Sequence, residues 1–227
     1  MKNKKAMERE KIRKIIFWSG TLLVAASLAL FAHIFYPVIF EELRYAFSSK
    51  NESVGQIILD GESGHEDDYI VPADNNFSII IPKIGANAPV VRDVDPLNES
   101  EYRRRLREGI AHAKGTKLPG EAGNTFLFAH SSDDFYIENE YNTVFYLLSK
   151  LEKGDEFFIV YEGDIYRYAV EETRKVAPES VEYLDAISEE STATLMTCWP
   201  PGTAAKRLVV VGFLKEISDN GEIKIDR

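Results

Sequence analysis

The chain has 227 residues, enough for one globular domain plus an appended segment, with a formal charge of −10 and a single cysteine. Its 37 Asp/Glu outnumber 27 Lys/Arg, and no basic stripe lies beyond the N-terminal tail, so a phosphate-tracking or nucleic-acid surface is not expected. One cysteine also excludes a framework of internal disulfides.

Residues 1–14 form a basic tail: seven Lys/Arg (Lys2, Lys4, Lys5, Arg9, Lys11, Arg13, Lys14) against Glu8 and Glu10 give +5, leaving −15 for the rest. Residues 15–40 contain no Lys, Arg, Asp or Glu. About 20 apolar residues span a bilayer, so this run is long enough to cross with some tilt. The basic tail is expected to stay cytoplasmic, which places everything after residue 40 outside. A cleaved signal peptide is the competing reading, but its apolar core is usually only about 7–15 residues and ends in a small-residue cleavage site, absent here. His33 then reads as a helix residue near the outer interface.

Residues 41–76 read as a juxtamembrane segment and acidic spacer. Glu41 to Phe47 briefly continue the helix, and then Gly55, Gly61, Gly64 and Pro72 interrupt a polar stretch too poor in apolar residues to bury much. His65-Glu66-Asp67-Asp68 is read as solvated linker rather than a metal site, because ligands must converge on a fixed frame. Ile57-Ile58-Leu59 is an apolar break expected to dock on the domain that follows.

Residues 77–217 carry short apolar runs separated by turn residues, the spacing of an all-β barrel or sandwich. Predicted strands are Phe77–Ile81, Ala88–Arg92, Asn124–His130, Glu156–Tyr161, Ile165–Lys175, Thr192–Cys198 and Lys206–Lys215. Glu162-Gly163-Asp164 predicts a tight hairpin. Leu97–Arg107 reads as a helix ending before Gly109, with Arg103 to Arg107 on a solvated face balanced by Glu99, Glu101 and Glu108. Thr143–Leu151 reads as a second helix, since Val144, Leu147, Leu148 and Leu151 recur at i, i+3, i+4 and i+7. Residues 218–227 read as a mobile C-terminal tail.

Cys198 ends Thr194-Leu195-Met196-Thr197-Cys198. A buried apolar thiol is the ordinary reading of a lone cysteine. A nucleophile needs more, because an ordinary thiol is mostly protonated at neutral pH and requires positive neighbours to become thiolate. The connector from Trp199 to Ala205, with its Pro-Pro-Gly turn, is short enough to return Arg207 beside Cys198 if the two strands pair antiparallel. Alternation places Arg207, Val209, Val211 and Phe213 on one face, expected to turn inward. Lys206 is the alternative cation if the register slips by one. His130 closes an apolar strand and opens a polar loop, where reactive groups tend to be presented. His112, in Gly109-Ile110-Ala111-His112-Ala113, is its competitor and reads as a structural hydrogen-bonding residue.

These elements resemble the sortases, membrane-anchored cysteine transpeptidases of bacterial surfaces. The resemblance rests on Thr194 to Cys198, on Arg207 opening Arg207-Leu208-Val209-Val210-Val211-Gly212, and on His130 after Asn124 to Ala129. Ile81-Pro82-Lys83-Ile84-Gly85 with Ala88-Pro89-Val90-Val91, Gly115 to Gly120, and Lys153-Gly154-Asp155 agree with it in order, from about Ile79 to Leu214. The family often has glycine directly before its histidine, and this chain has Ala129.

The resemblance implies a closed β-barrel of about eight strands, decorated by short helices and preceded by one transmembrane helix. It implies Cys198 as nucleophile, His130 as general acid/base, Arg207 as oxyanion stabiliser or substrate orienter, and Thr197 near the substrate. The implied reaction cleaves a Leu-Pro-x-Thr-Gly-like sorting signal through a thioester and transfers the acyl group to an amine of a cell-wall precursor or a pilin lysine. The implied partners are surface proteins bearing that signal. No cofactor or metal is required, and Glu138 and Glu140 after His130 are too unspecific to mark calcium. Two other readings fit the same residues: a tethered cysteine hydrolase using water, and a non-enzymatic wall-binding β-domain with an inert thiol.

Overall fold

A computed structural model describes residues 2–48, 56–59, 69–131, 141, 144–180, 189–219 and 221–225. The chain divides into two units, Met1–Leu43 and Arg44–Arg227. Helix α1 (Lys2–Ser48) begins in the first. Its Glu10–His33 segment has a mean hydropathy of 2.1 and is the one helix among the described residues long and apolar enough to cross a bilayer. Trp18 and Leu22 stand about 70% exposed, and their apolar neighbours all round the helix are exposed as well. A helix that is apolar on every side belongs in an apolar surrounding.

The second unit is built from strands β1 (Gln56–Ile58), β2 (Tyr69–Ile70), β3 (Phe77–Ile81), β4 (Ala86–Val94), β5 (Ile110–Ala113), β6 (Gly123–Phe128), β7 (Glu156–Tyr161), β8 (Asp164–Val176), β9 (Ser191–Trp199), β10 (Lys206–Ser218) and β11 (Glu222–Lys224), with the short helix α2 (Glu99–Arg105) between β4 and β5. Eight of them close a barrel in the order β10-β8-β7-β3-β4-β5-β6-β9, the architecture the sortase resemblance implied. Within the barrel the pairings are antiparallel except β4 with β5 and β6 with β9. A parallel pair needs a crossover. In the first case α2 supplies it, and in the second the β7–β8 hairpin lies between the partners in sequence. That hairpin turns on two residues at positive φ, Glu162 and Gly163, the conformation of a type I′ loop that matches strand twist.

Ile79, Ile159, Phe157, Tyr168, Leu195, Leu208 and Val210 belong to the main core. Phe157 and Tyr168 are cross-strand partners whose rings stack with centroids 5.3 Å apart and planes 6° from parallel. Gly212 faces this pair: a Cβ there would sit 2.5 Å from a Phe157 ring carbon, so only glycine leaves room for the stack.

β7 is apolar at consecutive positions because both of its faces are covered. Phe157 and Ile159 point to the main core, while Phe158 and Val160 join a second cluster with Ile80, Ile165, Ile57 and Ile223. The cover is a three-stranded sheet in the order β11-β1-β2. The apolar break of the spacer thus packs on the barrel, with Ile57 fully buried. The segment after Ser218, read from sequence as a mobile tail, instead contributes β11, whose Ile223 pairs with Ile57 and is 4% exposed.

Candidate active site

Three neighbouring strand ends build the site. β9 carries Thr194 to Cys198, and β10 returns antiparallel beside it with Arg207 directly opposite Cys198 and Lys206 opposite Trp199. The register therefore brings Arg207, not Lys206, to the thiol. β6 flanks β9 on its other side in parallel, with Phe128 opposite Met196. The pairing is prolonged past β6: Ala129 N–H donates to the Met196 carbonyl at 3.1 Å. The Thr197 hydroxyl donates to the Ala129 carbonyl at 2.9 Å. Both backbone groups of Ala129 are thus tied to β9, and His130 follows at the level of Cys198.

His130, Cys198, Arg207 and Thr197 line one groove of about 290 Å³. It is also lined by Pro96, by Tyr102 and Arg103 of α2, by Leu106 just past the end of that helix, and by Phe128 and Met196. α2 is capped by Asn98, whose side chain accepts from Glu101 N–H, and Tyr102 meets the Phe128 ring edge-on with centroids 6.3 Å apart. The connector after Cys198 is braced at several points. Thr203 Oγ1 donates to the Pro200 carbonyl at 2.8 Å, Arg207 Nη1 lies 3.3 and 3.2 Å from the Ala204 and Lys206 carbonyls, and Lys175 Nζ sits 4.1 Å over the Trp199 ring.

Cys198, His130 and Arg207 are each half-buried, so solvent and a peptide both have access. Among the described lining residues the fixed charges are Arg103 and Arg207, with no Asp or Glu. The arrangement therefore offers a thiol, a planar donor fork and an imidazole along one cleft. Thr197 is 2% exposed and its hydroxyl proton is committed to Ala129, so toward a ligand it is an acceptor. Glu138 and Glu140, and His65 with its neighbouring acids, lie outside the described residues.

One expectation about Arg207 is corrected. Leu208 and Val210 point into the barrel core, so Arg207 is on the outer face of β10, along the groove, rather than turned inward. Sequence reasoning also took α2 as a solvated face and missed that Tyr102 and Leu106, an i, i+4 apolar pair, face the cleft. That spacing was the available signal.

His112 lies elsewhere, fully buried among the strands. Its Nε2 is 3.1 Å from the Lys117 carbonyl and 3.0 Å from Thr116 Oγ1, and Asp93 approaches its Nδ1. Burial holds its pKa below the ordinary 6.5, against smaller opposing effects of the Lys117 carbonyl and Asp93. The unfolded chain therefore takes up this proton first as pH falls. The contribution of His112 to stability is full above about pH 6.5 and declines below it, toward the lower folded value. The fall in thermal midpoint between pH 7.5 and 5.5 is accordingly expected to be larger in the native chain than in His112→Gln. Equal falls would contradict this.

Comparison with known proteins gives a consistent result. The Sortase domain family matches residues 79–215. Sortase D of Bacillus subtilis is 28% identical over 135 residues, 58% of this chain and 60% of that protein. Sortase A of Streptococcus agalactiae is 28% identical over 141 residues, 62% of this chain and 53% of that protein. The match thus spans less than two thirds of either relative's length. Among solved structures, sortase C-1 from Actinomyces oris is 30% identical with a TM-score of 0.53, covering 63% of this chain and 76% of that one.

Proposed function

The chain belongs to the sortase family, and from that premise we propose that it is a membrane-anchored cysteine transpeptidase that cleaves a Leu-Pro-x-Thr-Gly-like sorting signal and passes the acyl group to an amine. The observation that carries the reading is the register pair of Cys198 and Arg207, with His130 along the same groove. Cys198 thiolate attacks the carbonyl carbon after threonine, and the resulting oxyanion is met by the Arg207 guanidinium. As the C–N bond breaks, protonated His130 gives its proton to the leaving amine, and the acyl group remains as a thioester. Neutral His130 then takes a proton from the incoming amine as the new C–N bond forms and the thiolate departs. Thr197 keeps Ala129, and with it His130, against β9, and its oxygen is available to a substrate N–H. No cofactor enters these steps.

The experiment that tests the reading incubates the protein with sorting-signal peptides and several amines, and separates products by mass. Cleavage between threonine and glycine with aminolysis dominating over hydrolysis supports it. A carboxylate product alone at high amine would instead make the protein a hydrolase.

Arg207→Lys separates charge from geometry. A point ammonium preserves the charge beside Cys198 but not the planar fork. Removal of one oxyanion donor typically costs about 10²–10³ in turnover, and at least that loss is expected in peptide cleavage, with slow alkylation of the thiol retained. Near-normal turnover, or a larger defect in Lys206→Ala than in Arg207→Ala, would move the role elsewhere.

We place residues 15–40 across the cell membrane, with the basic tail in the cytoplasm and the barrel outside, from the charge balance and the apolar Glu10–His33 segment. The protein is then expected to resist extraction by alkali and high salt, and its barrel to be cut by external protease in intact cells. Protection of the barrel, or a soluble released form, would contradict this.

A further inference from the structure

We infer that Lys175 and Trp199 form a clamp behind the active site, as positioning residues that keep Cys198 and Arg207 in register for attack; the inference rests on the transpeptidase reading above. The thiol and the donor fork both sit on strand ends. The register of β9 with β6 stops at Met196, two residues before Cys198. The register of β9 with β10 runs on through Cys198 and Arg207 to a last pair, Trp199 with Lys206. Past Trp199 the chain leaves the sheet for the connector. Terminal segments open most readily, and here the terminal pairs carry the chemistry.

Side chains on the reverse of the sheet oppose that opening. Directly opposed residues share a face, and successive residues alternate. Cys198 and Arg207 are on the groove face, so Trp199 falls on the other, with Leu208, which is 1% exposed. Trp199 is partly buried against the main core. Lys175 of β8 is the register partner of Leu208 and shares its face. Its Nζ lies 4.1 Å from the centre of the Trp199 ring, where the ring quadrupole attracts an ammonium. β10 runs between β8 and β9 in the closed barrel. The contact therefore ties the two neighbours of β10 together across it, from positions opposite Lys206 and Leu208, the residues on either side of Arg207.

Attack requires the sulfur and the guanidinium to be placed together against one carbonyl, and a misplacement near 1 Å at such a site costs up to about 10² in rate. Neither Lys175 nor Trp199 is among the described residues lining the groove. Loosening the clamp thus lowers the fraction of molecules with the pair closed and leaves the side chains that meet the peptide in place. An effect of that kind appears in the rate of the chemical step and not in binding.

The test is single-turnover cleavage of a sorting-signal peptide with the full chain in excess, which separates the attack step from binding. Lys175→Met keeps the apolar stem and removes the charge. It is expected to slow the saturating rate about fivefold, the scale of one partly exposed cation–π contact, with the half-saturating concentration unchanged. Lys175→Arg, whose guanidinium also binds an indole face, should stay within about twofold of the native chain. Trp199→Leu should be slowed as well, and Lys175→Met added to it should cost little more, because one contact is lost only once. Lys175 is exposed, so its two variants decide the matter even if Trp199→Leu does not fold. A native rate in Lys175→Met, an equal slowing in Lys175→Arg, losses that multiply in the double variant, or a change confined to half-saturation would overturn this inference and leave the transpeptidase reading standing. A native chain that cleaves no sorting-signal peptide would remove both together.

Discussion

Cys198→Ala is expected to reduce peptide cleavage and amine transfer below detection while leaving the barrel folded. No other thiol exists in the chain to substitute for it, and every bond-making step of the proposed reaction passes through this sulfur. The fold should tolerate the change because Cys198 is half-buried at the rim of the groove and one small side chain replaces another. A stability change of about 1 kcal/mol or less is expected from chemical unfolding. Retained turnover in a folded Cys198→Ala protein would end the covalent mechanism.

His130→Ala is expected to fold normally and to lose about 10²–10⁴ in turnover, the usual contribution of a positioned general acid and base. His130 is half-buried at the groove, whereas His112 is fully buried with Lys117 and Thr116 as partners. His112→Ala should therefore act on stability, leaving buried polar groups without a partner at a cost of about 1–3 kcal/mol, with turnover per folded molecule little changed. Measuring both quantities in both variants decides the assignment. Should His112→Ala prove the more damaging to turnover of folded protein, the acid/base role would belong to the other histidine.

Much of the barrel could be read from the chain because its strands are apolar runs bounded by glycine and charged turns. Glu156–Tyr161 was predicted with its observed bounds. β5 escaped notice for a physical reason. Ile110-Ala111-His112-Ala113 has one bulky apolar residue and a histidine, and it is a strand because β4 and β6 pair with its two edges. β11 was missed likewise, since Glu222-Ile223-Lys224 offers a single apolar residue whose burial depends on Ile57, far away in sequence.

The pattern around Leu147 and Leu148 was read as an α-helix over Thr143–Leu151, but the described residues there form a 3-10 helix, Tyr146–Lys150. Over so few residues, repeats of 3.0 and 3.6 place the same side chains inward.

The site was legible as residue types in order, and less so as orientation. Cys198, Arg207 and His130, the candidates read from the sequence, line one groove, and the antiparallel return of Arg207 to Cys198 followed from the short connector. The face of Arg207 was not, because Leu208, Val209 and Val210 are all buried. Where both faces of a wall are covered, alternation no longer marks the inside. The part played by α2 depended on tertiary packing against Phe128, which local charge pattern conceals.

The most direct test of the covalent mechanism is the intact mass of the protein after brief mixing with a sorting-signal peptide in the absence of amine. The proposed reaction predicts an adduct equal to the acyl half of the peptide, up to threonine, minus the hydrogen lost from the thiol. It should map to Cys198, be discharged by an added amine with formation of the transfer product, and be absent in Cys198→Ala. Cleavage of the peptide at the same bond with no such adduct, or an adduct that amines do not discharge, would contradict it.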